Sequence, residues 1–384
     1  MHDGPFFPGA RGGRKLRRIK IVGAGSIGNH LAGAARRMGW AVVVSDIDPD
    51  ALERMRTEIY PARFGAWDEE IGLFPSQEAP TGQFDAIFIG TPPDSHLPLA
   101  MDALDESPQV LIIEKPLCPP TLDLLDEFST RSRTSPTKVL VGYNHVVGRA
   151  TRRVDGLLAG RIIGEIQTID VAFREHWGGI FNAHPWLSGP ADSYLGSWRS
   201  GGGAGGEHSH GLNLWQHFAT KAEAGRISEV TASVEYIDCG DSAYDSMWSV
   251  NVRTENGLMG RVVQDVVTTP PKKMAMIQGS EGRLTWICGH MGTNDAVVLE
   301  LEHTDPDVEI IEKTRADDFL EELRVVDDVL AGDDSGESLS LARASETALI
   351  IHAAHRSEEA RARMRIDYDR GYTPGAVVAM EARR

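Results

Sequence analysis

Cysteine is scarce: Cys118, Cys239 and Cys288 are the only three in 384 residues. An odd number at scattered positions builds no disulfide framework and offers no metal-ligand spacing, and it suits a reducing cytoplasm. Long apolar runs are missing as well. No stretch approaches the roughly 18 to 20 apolar residues that a membrane-spanning helix needs. Positive charge is the minority sign, with 39 Lys and Arg against 56 Asp and Glu and a net charge of -17. A surface that acidic repels nucleic acid and anionic membranes, so neither is an expected partner. The basic runs near Arg11 to Lys20 and Arg356 to Arg370, the second broken up by acids, read as solvated termini and a solvated helix face. No internal repeat is visible. The Gly- and Arg-rich start has no apolar core of a secretory signal, and residues 1–16 are expected to be a disordered lead-in.

The chain is long enough for two domains. From Arg17 to Tyr143, short apolar runs alternate with helical patterns. Strands are expected at Arg17 to Val22, Ala41 to Ser45, Asp85 to Thr91, Val110 to Ile113 and Val139 to Tyr143. Helices are expected at Ile27 to Met38, Ser95 to Leu104 and Thr121 to Ser132, with one more capped by Asp48 and opened by Pro49. Strand–helix alternation predicts an α/β fold with a doubly wound parallel sheet over residues 17–148. After Gly148 the pattern changes. A helix near Arg149 to Leu158 leads into period-two runs between Ile166 and His303, with Gly- or Asn-containing turns between several of them. Residues 149–384 are therefore expected to form an α+β domain on a mostly antiparallel sheet, closed by helices at Asp317 to Leu330 and Leu341 to Arg356. The Gly-, Ser-, Pro- and aromatic-rich stretch Ala183 to Gly206 reads as a long loop over a site.

Gly23-Ala24-Gly25-Ser26-Ile27-Gly28 follows the first strand and opens the first helix. Gly23 permits the tight turn, Gly25 lets the main chain approach a pyrophosphate, and Gly28 lets the helix pack against the strand. The helix N-terminus, with Ser26 and Ile27, then presents free N–H groups to the phosphates. Asp46 ends the second strand, where it can accept hydrogen bonds from ribose hydroxyls and repel a 2′-phosphate. NAD is favoured over NADP.

Thr91-Pro92-Pro93 and Glu114-Lys115-Pro116 end strands at their carboxyl sides, where ligands sit in open α/β sheets. Lys115 can donate to a substrate oxygen or carry a proton; a surface salt bridge is the other reading. In Gly201-Gly202-Gly203-Ala204-Gly205-Gly206-Glu207-His208-Ser209-His210-Gly211-Leu212-Asn213, a continuous helix from Gly205 would place Glu207 and Asn213 on the face of His210. A carboxylate beside the imidazole would orient it and raise its basicity; a structural histidine is the alternative. The run Glu207-His208-Ser209-His210 has poor metal geometry, since His208 would turn away from His210 around a helix, and no further ligand is signalled, so no metal is expected.

Together these segments, with Thr91-Pro92-Pro93-Asp94-Ser95-His96 and Gly142-Tyr143-Asn144, resemble the Gfo/Idh/MocA oxidoreductases over most of the chain. The resemblance implies a Rossmann domain followed by an open-faced sheet domain that often builds a dimer or tetramer interface. It also implies a sugar- or cyclitol-like substrate. It sets Thr91, Pro92, His96, Glu114 and Lys115 along the cofactor and places Lys115 and His210 at the reacting carbon, with Glu207 in support. It assigns substrate contacts to Asn144, His145, Trp177, His184 to Trp186, Tyr194 to Gly196 and Asn213. This chain departs from the family where an aspartate often precedes the histidine by four residues; Gly206 stands there and Glu207 comes one later. Its Glu207-x-Ser209-His210 is similar to a subgroup reading Glu-x-Ser-His-Glu-x-Asp, with Gly211 and Asn213 in place of the last two acids. The expected activity is hydride transfer at a secondary hydroxyl. The alternatives are a glycosidase using NAD for transient oxidation and a non-catalytic NAD- or sugar-sensing protein.

Overall fold

The structure, a computed structural model, describes residues 16–182, 186–333 and 335–381. Residues 1–15 of the expected lead-in, and His184 and Pro185, lie outside the described residues.

Six parallel strands form the first sheet: β1 (Arg18–Val22), β2 (Ala41–Asp46), β3 (Ile71–Pro75), β4 (Ala86–Ile89), β5 (Val110–Ile113) and β6 (Lys138–Val141), in the order β3-β2-β1-β4-β5-β6. Every residue of β4 and β5 is buried, as expected of central parallel strands covered on both faces. The order reverses beside β1, between β2 and β4, which opens the crevice where dinucleotides bind. Helices α1 (Ser26–Arg37), α2 (Pro49–Arg54), α3 (Tyr60–Phe64), α4 (Pro93–Asp105) and α5 (Leu125–Thr134) connect the strands. Asp48 caps α2 by accepting from the Asp50 N–H at 3.0 Å, with Pro49 in the first turn. Strand β3 has no counterpart in the sequence reading. Helix α5 starts four residues later than expected, because Leu122 and Leu124 both take φ of +62°.

Helix α6 (Arg149–Ala159) leads to the second sheet, of ten strands: β7 (Ile166–Arg174), β8 (Ile227–Asp238), β9 (Ala243–Thr254), β10 (Met259–Asp265), β11 (Lys272–Gly279), β12 (Gly282–Cys288), β13 (Asp295–Leu301), β14 (Asp307–Ile311), β15 (Met364–Ile366) and β16 (Val377–Ala379). Their order is β14-β13-β12-β11-β7-β10-β9-β8-β15-β16. The sheet is antiparallel except where β7 runs parallel to β10. One face is apolar and buried. Ile169, Val171 and Phe173 of β7 lie there with Ala275, Ile277 and Trp286. Helices α7 (Trp177–Asn182), α8 (Gly203–Glu207), α9 (His210–Lys221), α10 (Arg315–Leu330) and α11 (Leu341–Ala360) complete the chain. Helix α9 lies on β7, where the buried Trp215 Nε1–H donates to the Ile169 carbonyl at 2.8 Å. Helix α10 returns to the first sheet and packs on α1, stacking Phe319 on His30 at 4.6 Å. Helix α10 thus ties the second half of the chain to the first sheet. Among the described residues, no helix is long and apolar enough to cross a membrane.

Candidate active site

The glycine loop has the geometry a pyrophosphate needs. Gly23 takes φ of +107°, and a Cβ there would stand 2.7 Å from the Gly90 carbonyl oxygen. A Cβ on Gly28 would stand 2.0 Å from the Gly23 oxygen, so the first turn of α1 rests on the loop itself. Gly25 caps α1 without a side-chain hydrogen bond, and nothing lies within 4 Å of its Cβ position. The helix end is therefore open to an anion. The Asn29 amide braces the turn by donating to the Ala24 and Gly25 carbonyls at 3.0 and 2.8 Å. Asp46 accepts from the Ala24 N–H at 2.7 Å and the Asp48 N–H at 2.9 Å. A carboxylate has about four lone-pair positions, so acceptor capacity is left for ribose hydroxyls. The Ser26 hydroxyl is engaged by Arg63, which also donates to the Ser26 carbonyl. Sequence reasoning missed Arg63 because it lies in a helix with no motif.

Thr91 and Pro92 lie at the strand end, half-buried and exposed respectively. His96 corrects the expectation of a cofactor contact. It is 0% exposed, with its ring nitrogens 2.7 Å from the Thr91 oxygen and 2.9 Å from the Pro116 oxygen. It ties the two strand-end loops together, and burial pushes its pKa down to about 4. Glu114 is also buried, and burial raises its pKa to about 7. Its carboxyl lies over Gly142, where a Cβ would stand 2.8 Å away, which gives the Gly142-Tyr143-Asn144 motif a steric reason.

Lys115 projects from this strand end toward the second half of the chain. Its ammonium donates to the Glu207 carbonyl at 3.1 Å and to Glu207 Oε2 at 3.2 Å. The helix expected to run from Gly205 through Asn213 is broken. His208 leaves helical geometry at φ -96°, ψ 18°, and separates α8 from α9. Glu207 therefore does not share a helical face with His210, whereas His210 and Asn213 remain three residues apart within α9. Glu207 meets Lys115, while the buried Nδ1 of His210 has no hydrogen-bond partner. Asn213 does not support His210 and offers a substrate no surface. It is 1% exposed, and its amide donates to Thr347 of α11 at 3.1 Å.

His210 is instead held by rings. Its centroid lies 4.7 Å from His145 and 5.6 Å from Tyr143, both edge-on, and 6.4 Å from Phe173. Burial first, then the field of His145, Lys115, Lys273 and Arg315, holds its pKa well below the ordinary histidine value. His145 is similarly lowered, chiefly by burial. Both rings are neutral at pH 7. Asn144 and His145 are each 8% exposed, Tyr194 and Trp186 are half-buried, and burial raises the Tyr194 pKa. Trp177 is buried against Phe181 and Tyr244, in a packing role.

Asp245 of β9 is a further residue the sequence did not signal. Fully buried, it accepts from the Gly205 N–H at 2.6 Å and so anchors the short helix that carries Glu207.

Residues 17–143 match the model of an oxidoreductase family with an NAD-binding Rossmann fold. A search of curated proteins finds no match. The chain is similar in fold to levoglucosan dehydrogenase in complex with NADH. The TM-score is 0.74 at 17% identity, covering 91% of this chain and 98% of that one. An NAD-binding oxidoreductase from Klebsiella pneumoniae gives 0.72 at 19%, covering 91% and 99%. The WlbA dehydrogenase from Bordetella pertussis, in complex with NADH and UDP-GlcNAcA, gives 0.68 at 18%, covering 92% and 99%.

Proposed function

We propose that this chain, whose residues 17–143 match the Gfo/Idh/MocA NAD-binding model, is an NAD-dependent dehydrogenase acting on a secondary hydroxyl of a sugar, sugar derivative or cyclitol. The observation that carries the reading is the meeting of Lys115, just past the end of β5, with Glu207 of the segment that also carries His210. Dehydrogenases of sugar-like compounds among its fold relatives support the same reading.

The bound nicotinamide would supply the hydride acceptor or donor at its C4. The glycine loop and Asp46 would hold the dinucleotide. An ammonium has three donors; Glu207 takes two of those on Lys115 and leaves one for the substrate oxygen. That contact would polarise the hydroxyl. His210, kept neutral by its surroundings, would take the hydroxyl proton during oxidation and return it during reduction. Glu207 is then a positioning residue for Lys115.

Residues 17–148 and 149–384 would be the cofactor and substrate domains. The exposed face of the second sheet, with Met247 and Met259, would serve a homo-oligomer, to be checked by light scattering. The three free cysteines are in keeping with a cytoplasmic setting. The activity is tested by following NADH formation from NAD with a panel of inositols, aldoses and their acids. Wild-type turnover that Lys115→Met lowers by roughly 100-fold or more supports the reading. Equal turnover by the two proteins refutes the role of Lys115.

A further inference from the structure

The register of the second sheet brings a second lysine–glutamate pair to the same cleft. Phe173 of β7, whose ring lies on His210, stands directly opposite Lys273 of β11. Opposite residues of an antiparallel pair share a face, so Lys273 shares the inner face with Phe173. Glu175 follows two residues after Phe173, and its carboxylate meets the Lys273 ammonium at 2.5 Å. Their side chains are 19% and 20% exposed, comparable with Lys115 and Glu207 at 11% and 21%. Glu175 is held in place. Its N–H donates to the Asp265 carbonyl at 3.0 Å, and its carboxylate lies over Gly179, where a Cβ would stand 2.6 Å away. His208 lies in the field of both pairs, and its buried Nε2 has no hydrogen-bond partner.

We propose that Glu175 and Lys273 form the substrate-orienting wall opposite Lys115, and that the site selects an uncharged polyhydroxy ring over a sugar acid. This rests on the dehydrogenase reading above. Vicinal hydroxyls can donate together to one carboxylate and accept from the adjacent ammonium. The charge balance argues against an acidic substrate. Lys115 is paired with Glu207, Lys273 with Glu175, and Lys313 with Asp295 and Asp318. Arg315, near His210 and with no ion pair among the described residues, starts the helix that packs on α1. A sugar carboxylate entering beside Glu175 or Glu207 would meet like charge while both neighbouring lysines are already paired, and such mispairing is an effective discriminator.

The test uses the full chain loaded with NADH, titrated by calorimetry with myo-inositol, glucose and glucuronate, alongside steady-state kinetics on the neutral ring that turns over fastest. A neutral ring is expected to bind at least about 10-fold tighter than glucuronate. Glu175→Gln is expected to raise KM for the neutral ring by about 10-fold or more, to change kcat less than KM, to narrow the gap to glucuronate, and to leave the NADH Kd in place. Lys273→Met should also raise KM but keep glucuronate excluded. Tighter binding of glucuronate by the wild type, failure of every neutral ring to bind, or an unmoved KM in Glu175→Gln overturns the proposal. Neutral-ring binding without turnover would overturn the dehydrogenase reading and leave this selectivity standing.

Discussion

In the segment 23–28, the middle glycine faces open space, with nothing within 4 Å of a Gly25 Cβ. In the segment 201–206 every glycine is hemmed in. A Cβ would stand 2.9 Å from Pro93 at Gly201, 2.1 Å from the Tyr194 oxygen at Gly202 and 2.1 Å from Asp245 at Gly203. It would stand 2.2 Å from Trp248 at Gly205 and 1.9 Å from the Gly201 oxygen at Gly206. The first segment uses glycine to bare its backbone to a ligand. The second uses it to thread a packed junction, so that Glu207 and His210 emerge at fixed places from a short helix and the start of a longer one. A run of glycines is a statement about close approach, and what approaches differs between the two.

The largest effect expected from this contrast is on the chemistry that the second segment carries. His210→Ala should lower kcat by roughly 100- to 10,000-fold while the NADH Kd moves little, as judged by fluorescence titration. Retained turnover would return His210 to a purely packing role. The next effect sets the two segments against each other. Gly206→Ala should cost about 1–3 kcal/mol of stability through forced overpacking and disturb Lys115 through Glu207. Gly25→Ala should leave thermal unfolding near wild type and weaken NADH binding. Equal unfolding temperatures for the two variants would erase the distinction. Asp46→Ser should weaken NAD binding by about 10-fold, since two backbone N–H groups and the ribose lose a charged acceptor; unchanged affinity would remove Asp46 from the cofactor site.

The smallest effect is one of pH. Burial and neighbouring cations disfavour the His210 imidazolium, so its neutral form persists below the ordinary value near 6.5. The acid limb of kcat/KM attributable to His210 should lie below that value. The same sign governs stability. A histidine with a depressed folded pKa contributes stability above its unfolded pKa and loses it as pH falls. His96 and His208, both near 4, should make unfolding easier between about pH 6.5 and 4. Denaturant titrations of His208→Gln should show a shallower loss over that interval than wild type.

The first half of the fold was legible because its signals are local. Buried strands are short apolar runs, Asp48-Pro49 announces a helix start, and the glycine loop carries its own steric logic. Strand β3 escaped because Ile71 to Pro75 is a brief edge strand, with one of its five residues buried. The site was legible in its members and not in its wiring. Lys115, Glu207 and His210 could be named, but whether Glu207 serves the lysine or the imidazole depends on the helix break at His208, which no motif marks. Lys273 was missed because period-two runs mark strands without fixing their ends, and Lys273 stands at the start of β11. Glu175, beyond the end of β7, and Asp245, fully buried in β9, act through contacts distant in sequence, which periodicity alone does not reveal.

The central claim is that hydride passes between the substrate carbon and the nicotinamide, with Lys115 and His210 managing the oxygen and its proton. The most direct measurement follows a neutral polyol deuterated at the reacting carbinol carbon, incubated with NAD and the wild-type chain, with NADH recovered for mass analysis. Stoichiometric deuterium in the NADH, formed in step with the ketone product and lost in Lys115→Met, is the expected result. Glycoside cleavage without net NADH, or NADH carrying no deuterium, would contradict the account.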